Sequence, residues 1–158
     1  MKKYEFTGET KRVELWNRTA TLHRIKATVE FGFVKVRELG GWIEKEENLS
    51  HEGKAWVCGD AEVCGDAKVW GNANVCGNAE VFLASHVLVM GSVGSRNDFT
   101  TFFRDKDNEI TVKCGCFLGK IDKFLEKVTQ THGNNKYALV YRAAVEVAKL
   151  QIELTERK

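Results

Sequence analysis

The sequence predicts a mainly β protein. Its middle is a short β-helix of six-residue repeats, preceded by a β cap and followed by a hairpin with two helices. Three observations predict this: a period of six from residue 55 to about 92, alternating apolar residues between positions 4 and 38, and helical spacing of apolar residues after position 120.

The repeat is the sharpest of the three. Val57, Val63, Val69, Val75 and Val81 are six apart, and the series continues at Val87 and Val93. Ala55, Ala61, Ala67, Ala73 and Ala79 keep the same step. Gly59, Gly65, Gly71 and Gly77 are each followed by Asp60, Asp66, Asn72 or Asn78. A period of six fits neither an α-helix nor one long strand. It fits very short strands joined by tight corners, stacked to share a core. Valine suits an inward, pleated slot. Glycine tolerates positive φ at a corner, and Asp or Asn can bond its own backbone there. The absence of proline agrees with uninterrupted ladders.

The flanks follow from shorter patterns. Val13, Leu15, Leu22, Ile25, Val29, Phe31, Phe33, Val34 and Val36 predict two or three strands with a turn near Asn17-Arg18, covering the open first coil. After Val93, strands are expected over 99–104 and 110–117, turning at Asp105-Lys106-Asp107-Asn108. A helix is expected over 120–131, ended by Gly133, and a second over about 135–155. The expected units are 1–38, 39–93 and 94–158.

These motifs resemble the left-handed parallel β-helix of hexapeptide-repeat proteins. The subgroup suggested is one common in phage and prophage genomes. Its opening segment is similar to Leu39-Gly40-Gly41-Trp42-Ile43-Glu44-Lys45-Glu46-Glu47-Asn48-Leu49-Ser50. Its tail is similar in Ser95-Arg96-Asn97-Asp98, Cys114-Gly115-Cys116-Phe117 and Thr131-His132-Gly133. The resemblance implies three hexads per coil, so that Val57 and Val75, Val63 and Val81, and Val69 and Val87 lie one coil apart. It implies trimers with parallel helix axes. It also implies a setting in which small proteins counter host defence by sequestering a nucleotide signal or by covering a host protein.

Composition narrows the function. The chain has 158 residues, 43% of them hydrophobic and 29% charged, which excludes disorder as the main state. A net charge of +2 gives no reason to expect duplex nucleic acid. The polar start Met1-Lys2-Lys3-Tyr4-Glu5 and the lack of a long apolar window predict neither a secretory signal nor a membrane span, hence the cytosol. Five cysteines, an odd count, argue against a disulfide framework.

Acyl transfer, the best-known activity of the resembled family, needs a histidine base with a cleft and an orienting partner. His23, His51, His86 and His132 show neither in sequence and are expected at the surface. With the three hexads per coil that the resemblance implies, Cys58 would lie over Cys76, and Cys114 and Cys116 would share one side of a strand. Each pair is short of the four ligands of a zinc site. Cys58, Cys64, Trp70, Cys76, Phe82 and Leu88 occupy one outward slot. So many outward apolar residues favour a homo-oligomer over cover by the protein's own flanks, and the resemblance implies that it is a homotrimer.

The polar loop where the repeat ends is the expected ligand site. Ser95, Arg96, Asn97 and Asp98 lead into Phe99, Phe102, Phe103 and Arg104, with Lys113 on the following strand. His132, Lys136 and Tyr137 come from the helix junction. Arginine matches phosphate bidentately, and aromatic rings stack on bases. The resulting expectation is a non-enzymatic binding protein that sequesters a small phosphate-bearing, nucleotide-type ligand, with no catalytic residue, metal or cofactor. The alternatives are an inhibitor that binds a host defence protein, an acyltransferase-like enzyme and a structural or assembly protein.

Overall fold

The computed structural model describes residues 2–94 and 98–154. Two long strands, β1 (Tyr4–Glu14) and β2 (Thr19–Ala27), form an antiparallel hairpin that turns at Leu15–Arg18. β3 (Leu39–Ile43) pairs antiparallel with β2. The repeat region then contributes rungs of two residues: β4 (Trp56–Val57), β5 (Glu62–Val63), β6 (Asn74–Val75) and β7 (Glu80–Val81). These pair in parallel, β3 with β5, β5 with β7, and β4 with β6. Each rung is short because glycine corners interrupt it. Gly59, Gly65, Gly71 and Gly77 all have φ between 62° and 66°, a conformation that favours a residue without Cβ.

The expected left-handed parallel β-helix is corrected. Among the described residues the molecule has one mixed sheet, one antiparallel sheet and a parallel pair of two-residue rungs, β4 with β6, together with two helices. The largest sheet has the order β1-β2-β3-β5-β7, and its first three strands run antiparallel. The second has the order β11-β10-β9-β8 and is antiparallel throughout. It is made of β8 (Val87–Val93), β9 (Asp98–Arg104), β10 (Ile110–Cys114) and β11 (Phe117–Lys120). Every strand longer than two residues therefore has an antiparallel neighbour. Val87 lies opposite Phe103 on β9 and Val69 bridges Leu49, and no Val69–Val87 bridge forms among the described residues. The physical reason is length. A rung of two residues leaves its edge groups and outer side chains bare, and the longer antiparallel strands supply partners for both.

Two local expectations change as well. The stretch 28–38 is a run of bends and turns around an isolated Phe31–Val34 bridge, and the third strand begins only at Leu39. The strand expected over 110–117 is broken by a turn at Gly115, with φ 56°, so Cys114 and Cys116 flank a hairpin corner. The helices are α1 (Ile121–His132) and α2 (Lys136–Gln151).

Three apolar clusters result. The first holds the inward valines Val57, Val63, Val69, Val75 and Val81 with the repeat alanines, closed by Tyr4, Ile25 and Phe103. Gly40 and Gly41 let β3 approach it: a Cβ on Gly40 would lie 2.7 Å from the Val57 carbonyl oxygen, and one on Gly41 2.7 Å from that of Ala61. The second cluster packs α1 and α2 on the antiparallel sheet through Phe102, Val112, Phe124, Val128, Tyr141 and Val145. The third buries Cys64 and Phe82 against Ala20, Leu22 and Trp42.

That third cluster weakens the ground for a trimer. The outward row is largely covered from within the chain. Cys64 is 0% exposed and Phe82 8%. Leu88 packs on the helical cluster. Cys58 and Cys76 form a disulfide, against the expectation from the odd cysteine count. Register explains the bond: Val57 pairs with Val75, so the next residues stack, with Cα atoms 4.6 Å apart. Trp70, at 64%, is the row's one largely exposed member.

Candidate functional site

A cleft of about 650 Å³ opens where the antiparallel sheet meets the repeat rungs. The loop after β2 contributes Gly32, Phe33, Val34 and Glu38 to it. The rung segments contribute Lys54, Trp56, Cys58, Asn72, Asn74 and Cys76, and β9 with β10 contributes Asp98, Phe99, Thr101 and Lys113. The two halves are tied at the floor, where the Asn74 backbone N–H donates to Thr101 Oγ1 at 3.0 Å. Lys113 pairs with Thr101 across the β9–β10 ladder, which puts both side chains on the cleft face.

The chemistry of the cleft is mixed. Lys54 is exposed and makes no salt bridge among the described residues, and Lys113 donates to the carbonyl of Gly115. Phe33 is fully exposed, an unusual position for a phenyl ring, and has no ring partner among the described residues. Asp98 Oδ1 accepts from the Phe99 N–H at 2.8 Å. Trp56 is 3% exposed and held edge-on by Phe31, with ring centroids 5.3 Å apart. Its Nε1 is buried without a hydrogen-bond partner among the described residues. An indole N–H is a donor only, and a buried donor without an acceptor is costly.

Of the residues proposed from sequence, Asp98 and Lys113 line this cleft. Ser95, Arg96 and Asn97 lie outside the described residues. Phe102 is wholly buried in the helical cluster. Arg104 is 8% exposed; it donates to Asn108 Oδ1 and to the Glu80 carbonyl, both at 3.0 Å, and its guanidinium stacks on Phe82. It fastens the antiparallel sheet to the repeat. His132 and Tyr137 stand together with Tyr141 at the helix junction, and Lys136 is exposed at the start of α2, away from the cleft lining.

Sequence reasoning missed Lys54, Trp56, Asn72, Asn74 and Phe33. One signal was available for Trp56. The residue between the repeat alanine and valine is Glu62, Lys68, Asn74 or Glu80 in the other hexads, and only here is it a large aromatic.

Two of the histidines are held in contacts within the fold. His86, expected at the surface, is 1% exposed. Its Nδ1 accepts from the backbone N–H groups of Phe82 and Leu83 at 3.0 and 3.1 Å. Burial, reinforced by the Arg104 charge, pushes its pKa down to about 4. His51 is committed to the Lys3 N–H and stacks on Tyr4. Among the described residues, no group of three His, Cys, Asp or Glu could hold a metal ion. No helix among them is long and apolar enough to cross a membrane. A smaller hollow of about 320 Å³ lies beside Glu46, His51, Lys68 and Trp70.

No family model matches the chain, and neither does any curated protein. Together with the antiparallel sheets, this removes the support for membership of the left-handed hexapeptide-repeat family and of its phage subgroup.

Proposed function

We propose that the cleft binds a small phosphate-bearing ligand with a planar base, of nucleotide type, and retains it without transforming it. The observation that carries this reading is the placing of two lysines, Lys54 and Lys113, in one cleft with the exposed ring of Phe33 and the unpartnered Trp56 N–H. The lysines suit phosphate oxygens, the phenyl ring suits the face of a base, and the indole N–H suits a carbonyl or ring-nitrogen acceptor. Asp98 and Glu38 can accept from ribose hydroxyls. The volume is that of an ordinary small-molecule site.

The test is a thermal-shift panel of mononucleotides, cyclic nucleotides, ADP-ribose and inorganic phosphate, followed by calorimetry on any ligand that shifts the melt. A ligand at a hundred times its Kd stabilises by about 2.7 kcal/mol. Lys54→Ala and Lys113→Ala should each weaken binding by about ten- to a hundredfold and leave the unliganded melt in place. A panel without any shift, or lysine variants that bind as tightly as the parent, would overturn the reading.

A further inference from the structure

The Cys58–Cys76 disulfide forms part of the cleft wall. Val57 and Val75 pair in register and point inward, so Asn74 and Cys76, on either side of Val75, share the outward face with Cys58. The two sulfurs differ in access: Cys76 is 6% exposed, while Cys58 is only partly buried. The Cys64 thiol is wholly buried, and burial pushes its pKa up to about 12, so it takes no part in exchange at neutral pH.

Asn74 connects the bond to the ligand space. Its Oδ1 lies 2.9 Å from Cys76 Sγ and 3.6 Å from Cys58 Sγ. Sulfurs joined to each other carry no hydrogen, so the disulfide offers this oxygen no donor. A thiol does, since S–H is a weak donor. Cys58 has the Val75 carbonyl at 3.7 Å as well, which makes Cys76 the donor for Asn74. The Asn74 backbone is fixed, its N–H donating to Thr101 Oγ1 at 3.0 Å. Only the amide is left to turn. Held by S–H, it keeps Oδ1 against the sulfur and gives its Nδ2 donor to the cleft. Released, it makes a half-turn and puts an acceptor there. Lys54 and Lys113 line the same cleft. A donor beside them strengthens the hold on phosphate oxygens, and an acceptor weakens it.

We propose that the Cys58–Cys76 pair is a redox switch that acts through Asn74 and tightens the cleft on a phosphate-bearing ligand when reduced. The effect on affinity rests on the nucleotide-type reading of the cleft; the turn of the amide does not. The reductant is a dithiol. Its thiolate attacks the reachable Cys58 Sγ, the S–S bond breaks, and Cys76 leaves as a thiolate that takes up a proton. The second reductant thiol, as thiolate, attacks its own sulfur in the mixed disulfide, and Cys58 leaves and is protonated in turn. The chain gains two electrons and two protons, and the reductant departs as a cyclic disulfide.

The test uses the full chain with Cys116→Ser, which removes the exposed thiol. Dithiothreitol should add two titratable thiols while the circular dichroism stays native. NOEs between the Asn74 NH2 protons and the Cys76 β-protons should be stronger in the oxidised form. By calorimetry, inorganic phosphate and ADP-ribose should bind the reduced form about tenfold more tightly. Cys76→Ser, which carries an O–H donor and cannot form the bond, should match the reduced parent even under oxidant, and Asn74→Ala should abolish the redox difference. A bond that opens only on unfolding, or NOEs alike in both forms, would overturn the switch. Equal affinity in both forms would overturn it and leave the nucleotide-type reading standing. Failure of both ligands on both forms would overturn that reading and the affinity effect together, with the turn of the amide still decided by the NOEs.

Discussion

His86 offers a test of the fold's interior that can be worked through from its contacts. The residue closes the short turn Ala84–His86, and its Nδ1 lone pair accepts from two backbone N–H groups at once. The cationic ring needs a proton on that same nitrogen, where it would face two donors in a buried pocket. The folded pKa is accordingly held at about 4, against about 6.5 in an unfolded chain. The sign follows directly. Above pH 6.5 both states carry a neutral ring and the contribution is intact. As pH falls from 6.5 to 4, the unfolded chain takes up a proton that the folded chain refuses, and stability declines. At 1.36 kcal/mol per pKa unit, the loss attributable to this ring is about 3 kcal/mol. His86→Asn keeps a side-chain acceptor for the two N–H groups and removes the titration. Urea unfolding of both proteins at pH 7.5, 6.5, 5.5 and 4.5 should show the variant less stable at pH 7.5. The gap should close by about 2–3 kcal/mol at the acid end. All other carboxylates and histidines are common to the two proteins and cancel in the difference. Parallel stability curves for the pair would refute the assignment, since they would mean that His86 titrates alike in both states.

Two further outcomes test the repeat. Val69 is 1% exposed and its N–H donates to the Asn48 carbonyl at 2.9 Å, so Val69→Asp places a carboxylate in the first cluster without a partner. That costs several kcal/mol against a total of about 5–15, and the variant should lack a cooperative melt by circular dichroism; a soluble, cooperatively melting variant would show the register to be wrong. The Cys58–Cys76 bond closes a loop with a separation of 18 residues. Cys58→Ser should therefore lower stability by up to about 3 kcal/mol under oxidising conditions and be nearly silent in reductant, as read by urea midpoints.

Much of the interior was legible in the chain. The valine, alanine and glycine series specified the buried slots and the corners, because a step of six leaves only one way to alternate inward side chains with turns. The two helices stand within a few residues of where apolar spacing and Gly133 put them. What the period did not reveal was how the rungs are completed. That depended on which distant strands could reach them: β2 on the outer edge of β3, and β9 alongside β8 through pairs such as Leu88 with Phe102. Local pattern carries no information about such partners, and antiparallel pairing won because long strands satisfy more backbone groups than rungs of two residues.

The site divides in the same way. Asp98 and Lys113 were marked by the polarity of their neighbourhood in sequence, and the cleft contains both. Phe102 and Arg104 carried the same local signal, yet both faces of β9 are covered, by the helical cluster over Phe102 and by Glu80 and Phe82 beside Arg104. Lys54, Trp56 and Asn74 come from a part of the chain that reads as plain repeat, and they reach Lys113 only because β9 lies against the rungs. The sequence by itself determined the inward valine and alanine slots of the repeat, since those follow from local periodicity. The tertiary structure alone decided which outward positions share a cleft and which are covered, because those follow from contacts between residues far apart in the chain.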